Sequence, residues 1–355
     1  MQKLRTHIVL LSAALSCGGA MYSQSTAPSK KTPSPAIALH ESSRQSIVSE
    51  VGGAFMFPAR CDADGNLYIR KYASDRPLLG PIVKIDAEGK RVASFDPTAV
   101  SQLKLDRADA FSPAPDGGLY QIAAVGIAKA QIYVLQFSSD GSPSSPIHLD
   151  ADFQPFQFAP FANGGLLVSG YYRDAQNRSD PKRPLTAVFS ADGRLLAQIA
   201  FDDSRKEASP GARSSRPPVP DRTVKSTPSI HLSDAEPGVD GNIYVLRRSS
   251  PALIYVISPA GRILRTLHIS SPAHDLMPNT FHVAANRVAV SFWDESSTTQ
   301  TLVVTDALTG GRIATYSDSG ALGPSFACYS ADAGVFTFLH LGDGNSLEVI
   351  RAEAH

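Results

Sequence analysis

The sequence predicts an all-β fold: a six-bladed β-propeller with four-stranded antiparallel blades, its ring closed by an N-terminal strand. Three observations predict it. A unit recurs six times, with steps of 52, 47, 77, 45 and 47 residues between the equivalent positions Leu67, Leu119, Leu166, Ile243, Val288 and Val335. Each unit holds short β-branched and aromatic runs joined by Asp-Gly, Asn-Gly or similar dipeptides, which supply the positive φ of a tight hairpin. The sixth unit stops one strand early, at LEVIRAEAH (347–355). A small lone sheet cannot cover both its faces, so units of this size must stack radially.

The first residues read as an export signal. Residues 1–23 place Lys3 and Arg5 before the apolar run Ile8 to Leu15, and small residues come next at Gly18 and Ala20. The run is too short to span a bilayer, and no stretch of about 18 apolar residues comes after it, so no transmembrane segment is expected. LSAALSC also resembles a bacterial lipoprotein signal, which would make Cys17 a lipidated N-terminus and tether the protein to a membrane. Either reading implies an exported protein, periplasmic or extracellular. Residues 24–36, rich in Ser, Thr, Pro and Lys, have the composition of a flexible linker.

From residue 37 to 355 the units run in order. The first halves are FPARCDADGNLYI (57–69), FSPAPDGGLYQI (111–122), FAPFANGGLLV (158–168), AEPGVDGNIYV (235–245), FHVAANRVAV (281–290) and FACYSADAGVFTF (326–338). Second halves include VKIDAEGKRVASF (83–95), AVFSADGRLLAQIAF (187–201) and YVISPAGRILRTLHI (255–269). The long third step comes from residues 202–232, a Ser/Pro/Arg-rich insert whose composition predicts disorder, or ordering on a partner. AIALHE (36–41) or QSIVSEV (45–51) is available to complete the sixth unit. The PGVDGNIYV and CDADGNLYI strands, with KIDAEGKR, FSADGR and ISPAGR after them, resemble the NHL-repeat and related six-bladed propellers over nearly the whole of residues 37–355. That resemblance implies a fold, since members of such families do unrelated work.

Composition narrows the partners. The chain has 33 basic and 33 acidic residues and no net charge, which argues against nucleic acid as a partner. A monomer is expected. If strands are lettered a to d from the axis, the a–b and c–d turns are tight, while the b–c and d–a connections are long: 71–81, 171–185, 202–232, 270–279 and 293–300. Long connections on a rigid scaffold usually carry binding groups. The b-strand ends there offer Tyr72, Tyr171, Tyr172, Arg173, Arg247, Arg248, Trp293, Asp294 and His340, types enriched at recognition sites. The same residues also suit packing between blades. A protein or glycan is therefore the expected ligand of this rim.

Catalytic patterns are sparse. There is no Gly-x-Ser-x-Gly, HExxH, phosphate-cradling loop or paired CxxC, and Asp62 to Gly65 lacks most of a calcium loop. Some propellers of this kind are metal-dependent lactonases or lyases acting in the central channel. The corresponding inner positions here are Pro58, Ser112, Ala159, Glu236, His282 and Ala327, of which only Glu236 and His282 could bind Ca or Zn, with Glu41, His231 or Asp234 as a third ligand. Cys61 and Cys328 fall in the a strands of units one and six, either as a disulfide stapling the ring or as two buried thiols. The function expected is a non-catalytic binding propeller. The alternatives are a metal-dependent enzyme of the channel and a purely structural envelope protein.

Overall fold

The computed structural model describes residues 35–51, 55–71, 73–126, 130–201, 235–272, 276–318, 320–322, 325–342 and 346–354. The signal and linker up to residue 34, Cys17, Tyr72, His231, Asp234 and the 202–232 insert lie outside them. Residues Pro35–His355 form one compact unit. Apart from two short helical turns, α1 (Val48–Val51) and a 3-10 turn at Pro97–Ala99, its elements are strands. None of the helices described is long and apolar enough to cross a membrane.

In chain order, β1 is Ile37–Ser46, β2 Phe55–Cys61, β3 Leu67–Lys71, β4 Ile82–Ile85 and β5 Arg91–Phe95. Then come β6 (Arg107–Pro113), β7 (Leu119–Val125), β8 (Gln131–Phe137) and β9 (Ile147–His148). The third group is β10 (Phe153–Pro160), β11 (Leu166–Arg173), β12 (Ser179–Phe189) and β13 (Leu195–Gln198). The fourth is β14 (Ala235–Pro237), β15 (Ile243–Arg247), β16 (Ala252–Ile257) and β17 (Ile263–Ile269). The last strands are β18 (Pro278–Ala284), β19 (Arg287–Asp294), β20 (Thr299–Asp306), β21 (Arg312–Asp318), β22 (Phe326–Ser330), β23 (Val335–Leu341) and β24 (Leu347–Ala354).

Four four-stranded antiparallel meanders result, β2–β5, β6–β9, β10–β13 and β14–β17, in an all-β, propeller-like arrangement. The remaining strands make one eight-stranded sheet, in the order β18-β19-β20-β21-β1-β24-β23-β22. There β1 runs antiparallel to β24 from Leu39↔Ala354 to Ser46↔Glu348, and parallel to β21 only at Ile37 and Ala38. First strands meet in succession: β2 with β6, β6 with β10, β10 with β14, β14 with β18, β18 with β22, and β22 with β2.

The core lies between sheets, which is why the strands read as apolar runs and not as strict alternation. Val288 to Phe292 of β19 are all buried, because both faces are covered. Leu67, Ile69, Val83 and Ile85 of the first sheet pack with Cys328, Leu339, Leu347 and Val349 of the last strands. Cys61 and Cys328 are joined there as a disulfide, with Cα atoms 6.0 Å apart. This spacing lies inside the usual span.

Two turn glycines serve twice. Positive φ is required at both, 90° at Gly141 and 87° at Gly193. In the c–d turns a second reason appears: a Cβ on Gly141 would strike the Ser94 carbonyl, and one on Gly193 the His148 carbonyl. Both carbonyls belong to the outermost strand of the preceding sheet. Neighbouring sheets thus approach to backbone contact at the position the sequence marks only as a turn.

Two connections expected as long loops are mostly ladder. β11 and β12 stay paired out to Arg173↔Ser179, and β19 and β20 to Asp294↔Thr299. Asp174 closes the first hairpin by accepting the backbone N–H groups of Gln176 and Arg178 at 2.9 and 2.8 Å, with Asn177 at φ 61°. Regular pairing continues because that turn satisfies its own polar groups.

Candidate functional site: an axial cavity at the short-turn mouth

Most first strands share a break in register. β2, β6, β10, β18 and β22 each break register once, between Met56/Arg60, Ala108/Phe111, Pro155/Gln157, Pro278/Thr280 and Phe326/Cys328. Such bulges twist a strand and re-aim the side chains beyond them. Downstream of them, the register with the second strand places Arg60, Ser112, Ala159, Glu236, His282 and Tyr329 in equivalent positions, each one before the partner of the unit's reference residue. This corrects the inner positions expected from sequence. Pro58 and Ala327 are displaced by two residues, because counting forward from the strand start ignores the bulge.

Arg60, Ser112, Glu236 and His282 line a cavity of about 140 Å³ that opens among the turns Asp62–Asp64, Pro113–Gly117 and Pro237–Val239. Its location is the trimmed rim, opposite the one expected to bind. Glu236 (8% exposed) and His282 (2%) come from successive sheets. His282 Nδ1 lies 3.1 Å from Glu236 Oε2, which also accepts the Val283 backbone N–H at 2.9 Å. Arg60, 4% exposed, donates from Nη1 to the Ala235 carbonyl at 3.1 Å and sits 4.0 Å from Glu236 Oε1. An ionisable cluster is thus buried beside the cavity, where a packed core would need none.

Around the mouth, polar groups are tied up. Asp62 accepts from the Asn66 backbone and side chain, from Tyr68 Oη at 3.1 Å and from Lys84 Nζ at 3.0 Å, so its DADG is a filled hairpin turn. Asp240, Tyr244 and Arg265 repeat the pattern in the fourth sheet, and burial together with the Asp240 charge pushes the Tyr244 hydroxyl up to about 12.

Among the described residues the donor set does not fit a divalent cation. Glu236 and His282 bond to each other, the Arg60 guanidinium lies 4.0 Å from the carboxylate, and among the described residues no third His, Cys, Asp or Glu groups with them. Glu41 is elsewhere, bound to Arg44 in β1 at 2.6 Å.

The residues expected to bind on the other rim are mostly engaged locally. Tyr172 accepts from Gln198 Nε2 at 2.8 Å beneath the Arg183 guanidinium, and Arg173 donates to Asn177 Oδ1 and the Ala130 carbonyl. Arg247 donates to Tyr255 Oη and Arg248 to the Asn279 carbonyl. Asp294 caps its turn, and hydrogen bonds from Ser296 and Ser297 hold its carboxyl below the usual range. Tyr171 meets the exposed Phe156 edge-on, at 5.4 Å between ring centres. Trp293 and His340 are half-buried.

No protein-family model matches the chain, and no curated protein matches it. Solved structures similar in fold include a catalytically inactive virginiamycin B lyase from Staphylococcus aureus with quinupristin, at 11% identity over 84% of this chain and 80% of that one, TM-score 0.41. A luciferin-regenerating enzyme matches at 10% identity over 88% and 95%, TM-score 0.47. The WD40 domain of Neurospora crassa Pan2 matches at 11% over 89% and 97%, TM-score 0.45.

Proposed function

We propose that this chain is an exported six-bladed β-propeller that acts as a non-catalytic binding scaffold and receives a polar group of its protein or glycan partner in the axial cavity. The six-blade reading counts the eight-stranded sheet as two blades joined through β1, and the circular succession of first-strand contacts supports it. Export rests on residues 1–23, with lipidation of Cys17 as its tethered form. The single observation behind the binding site is the buried Arg60–Glu236–His282 cluster facing one cavity. Buried ionisable groups converging on a cavity are the usual mark of a ligand site.

The test is a fragment screen by ligand-observed NMR on wild type and on Ala63→Trp. Ala63 is an exposed residue of the cavity wall, so the variant narrows the mouth without touching the core. Fragments bound by wild type and released by Ala63→Trp support the reading. Fragments held equally by both would move the site elsewhere, first to the Phe156–Tyr171 pair. A thermal melt with calcium, zinc or chelator completes the test. A metal-dependent rise reversed by chelator would replace the scaffold with a channel enzyme.

A further inference from the structure

The polar atoms that face the axial cavity specify what enters it. His282 is 2% exposed, and its ring forms part of the cavity wall. Nδ1 is committed to Glu236, whereas Nε2 makes no hydrogen bond among the described residues. A carboxylate can only accept, so the Nδ1 beside it carries the proton, and in the Nδ1–H tautomer Nε2 is an acceptor. An acceptor on the cavity wall with no protein hydrogen bond among the described residues can take a donor from the ligand. Ser112, 0% exposed, adds a hydroxyl whose own bond is a long 3.4 Å contact to the Pro113 carbonyl.

Three ligand classes compete. An ionised carboxylate has no proton for Nε2, and it or a phosphate would share the cavity with Asp62, Asp64 and Glu236. An ammonium has protons but would enter beside the Arg60 guanidinium, and of the wall carboxylates Asp62 is already paired with Lys84 and Glu236 with His282 and Arg60. A neutral hydroxyl meets both demands, donating to Nε2 and accepting from Ser112 Oγ, while Pro113, Pro115 and Pro237 offer apolar wall to a C–H face. The cavity has room for several waters, enough for one edge of a ring with the remainder outside.

We infer that the cavity binds a neutral sugar residue through His282 Nε2, with Glu236 as the positioning residue that fixes the tautomer. The inference rests on the axial-cavity reading and names its ligand class.

Its test uses glucose, glucosamine and glucuronate, which share a ring and differ in charge, with saturation-transfer titrations on wild type, Ser112→Ala and His282→Phe. Glucose should bind best, at least tenfold more weakly in His282→Phe and several-fold more weakly in Ser112→Ala. Ser112→Ala removes only a hydroxyl, so it serves if His282→Phe unfolds. ¹⁵N spectra should show His282 protonated at Nδ1 in wild type, and that preference should fall in Glu236→Ala. Preference for glucosamine or glucuronate, or failure of all three while fragments still respond to Ala63→Trp, overturns the sugar class but leaves the cavity reading standing. Sugar binding indifferent to both substitutions, or an Nε2–H tautomer, overturns the inference itself.

Discussion

Replacing Gly193 and Gly241 in turn by Ala separates two reasons for a turn glycine. Both residues have positive φ, 87° and 76°, so each variant carries the left-handed cost of about 1–2 kcal/mol. Each also regains about 0.4–1 kcal/mol because the unfolded chain becomes stiffer. Around Gly241 nothing lies within 4 Å of an added Cβ, and the net loss should stay near 1 kcal/mol. At Gly193 the methyl group meets the backbone carbonyl of His148, and a strand cannot yield as a side chain does. Overpacking of this kind adds about 1–3 kcal/mol, so a total of about 2–4 kcal/mol is expected. Urea unfolding midpoints, compared at unchanged slope, measure the difference. Losses equal within about 0.5 kcal/mol would refute the claim that the turn at Gly193 meets the backbone of the preceding sheet.

Two further predictions concern charge and cross-linking. Burial alone would raise the Asp96 carboxyl, but hydrogen bonds from Arg76 (2.8 Å to each oxygen) and Thr98 outweigh it and hold the pKa below the ordinary value. Its contribution is therefore present above the unfolded pKa and lost as pH falls through the folded one. Asp96→Asn should cost up to about 1 kcal/mol at pH 7, the pair being a third exposed, and the gap should shrink in parallel urea titrations as pH falls below the ordinary carboxylate range. Reducing Cys61–Cys328, which closes a 267-residue separation, should lower stability by about 2–5 kcal/mol in the same assay. A midpoint unchanged by dithiothreitol would show that the bridge does not hold the first and last sheets together.

Much of the all-β, propeller-like arrangement was legible because its signals are local. An Asp-Gly or Asn-Gly pair between two apolar runs fixes a hairpin whatever surrounds it, as Gly65 and Gly241 do with nothing near them. The same pattern marked Gly193 as a turn but could not show why it must remain bare, since the atom it would strike lies 45 residues earlier in another sheet. Tyr172 and Arg173 were legible as surface chemistry. Their partners Gln198, Arg183 and Ala130 are set by pairing and packing that composition does not encode.

The axial site divides in the same way. Glu236 and His282 stood out in the sequence as the two inner positions able to ligate a metal. Arg60 was missed because a bulge in β2 shifts the register between Met56 and Arg60, and Pro58 took its place in the count. Counting back from the Asp-Gly turn would have found it. Repeats, turns and strands can be read along the chain, since each depends on neighbours a few residues apart. The meeting of residues 60, 112, 236 and 282 around one cavity cannot, because it depends on how bulges aim the first strands and on how those strands gather about an axis.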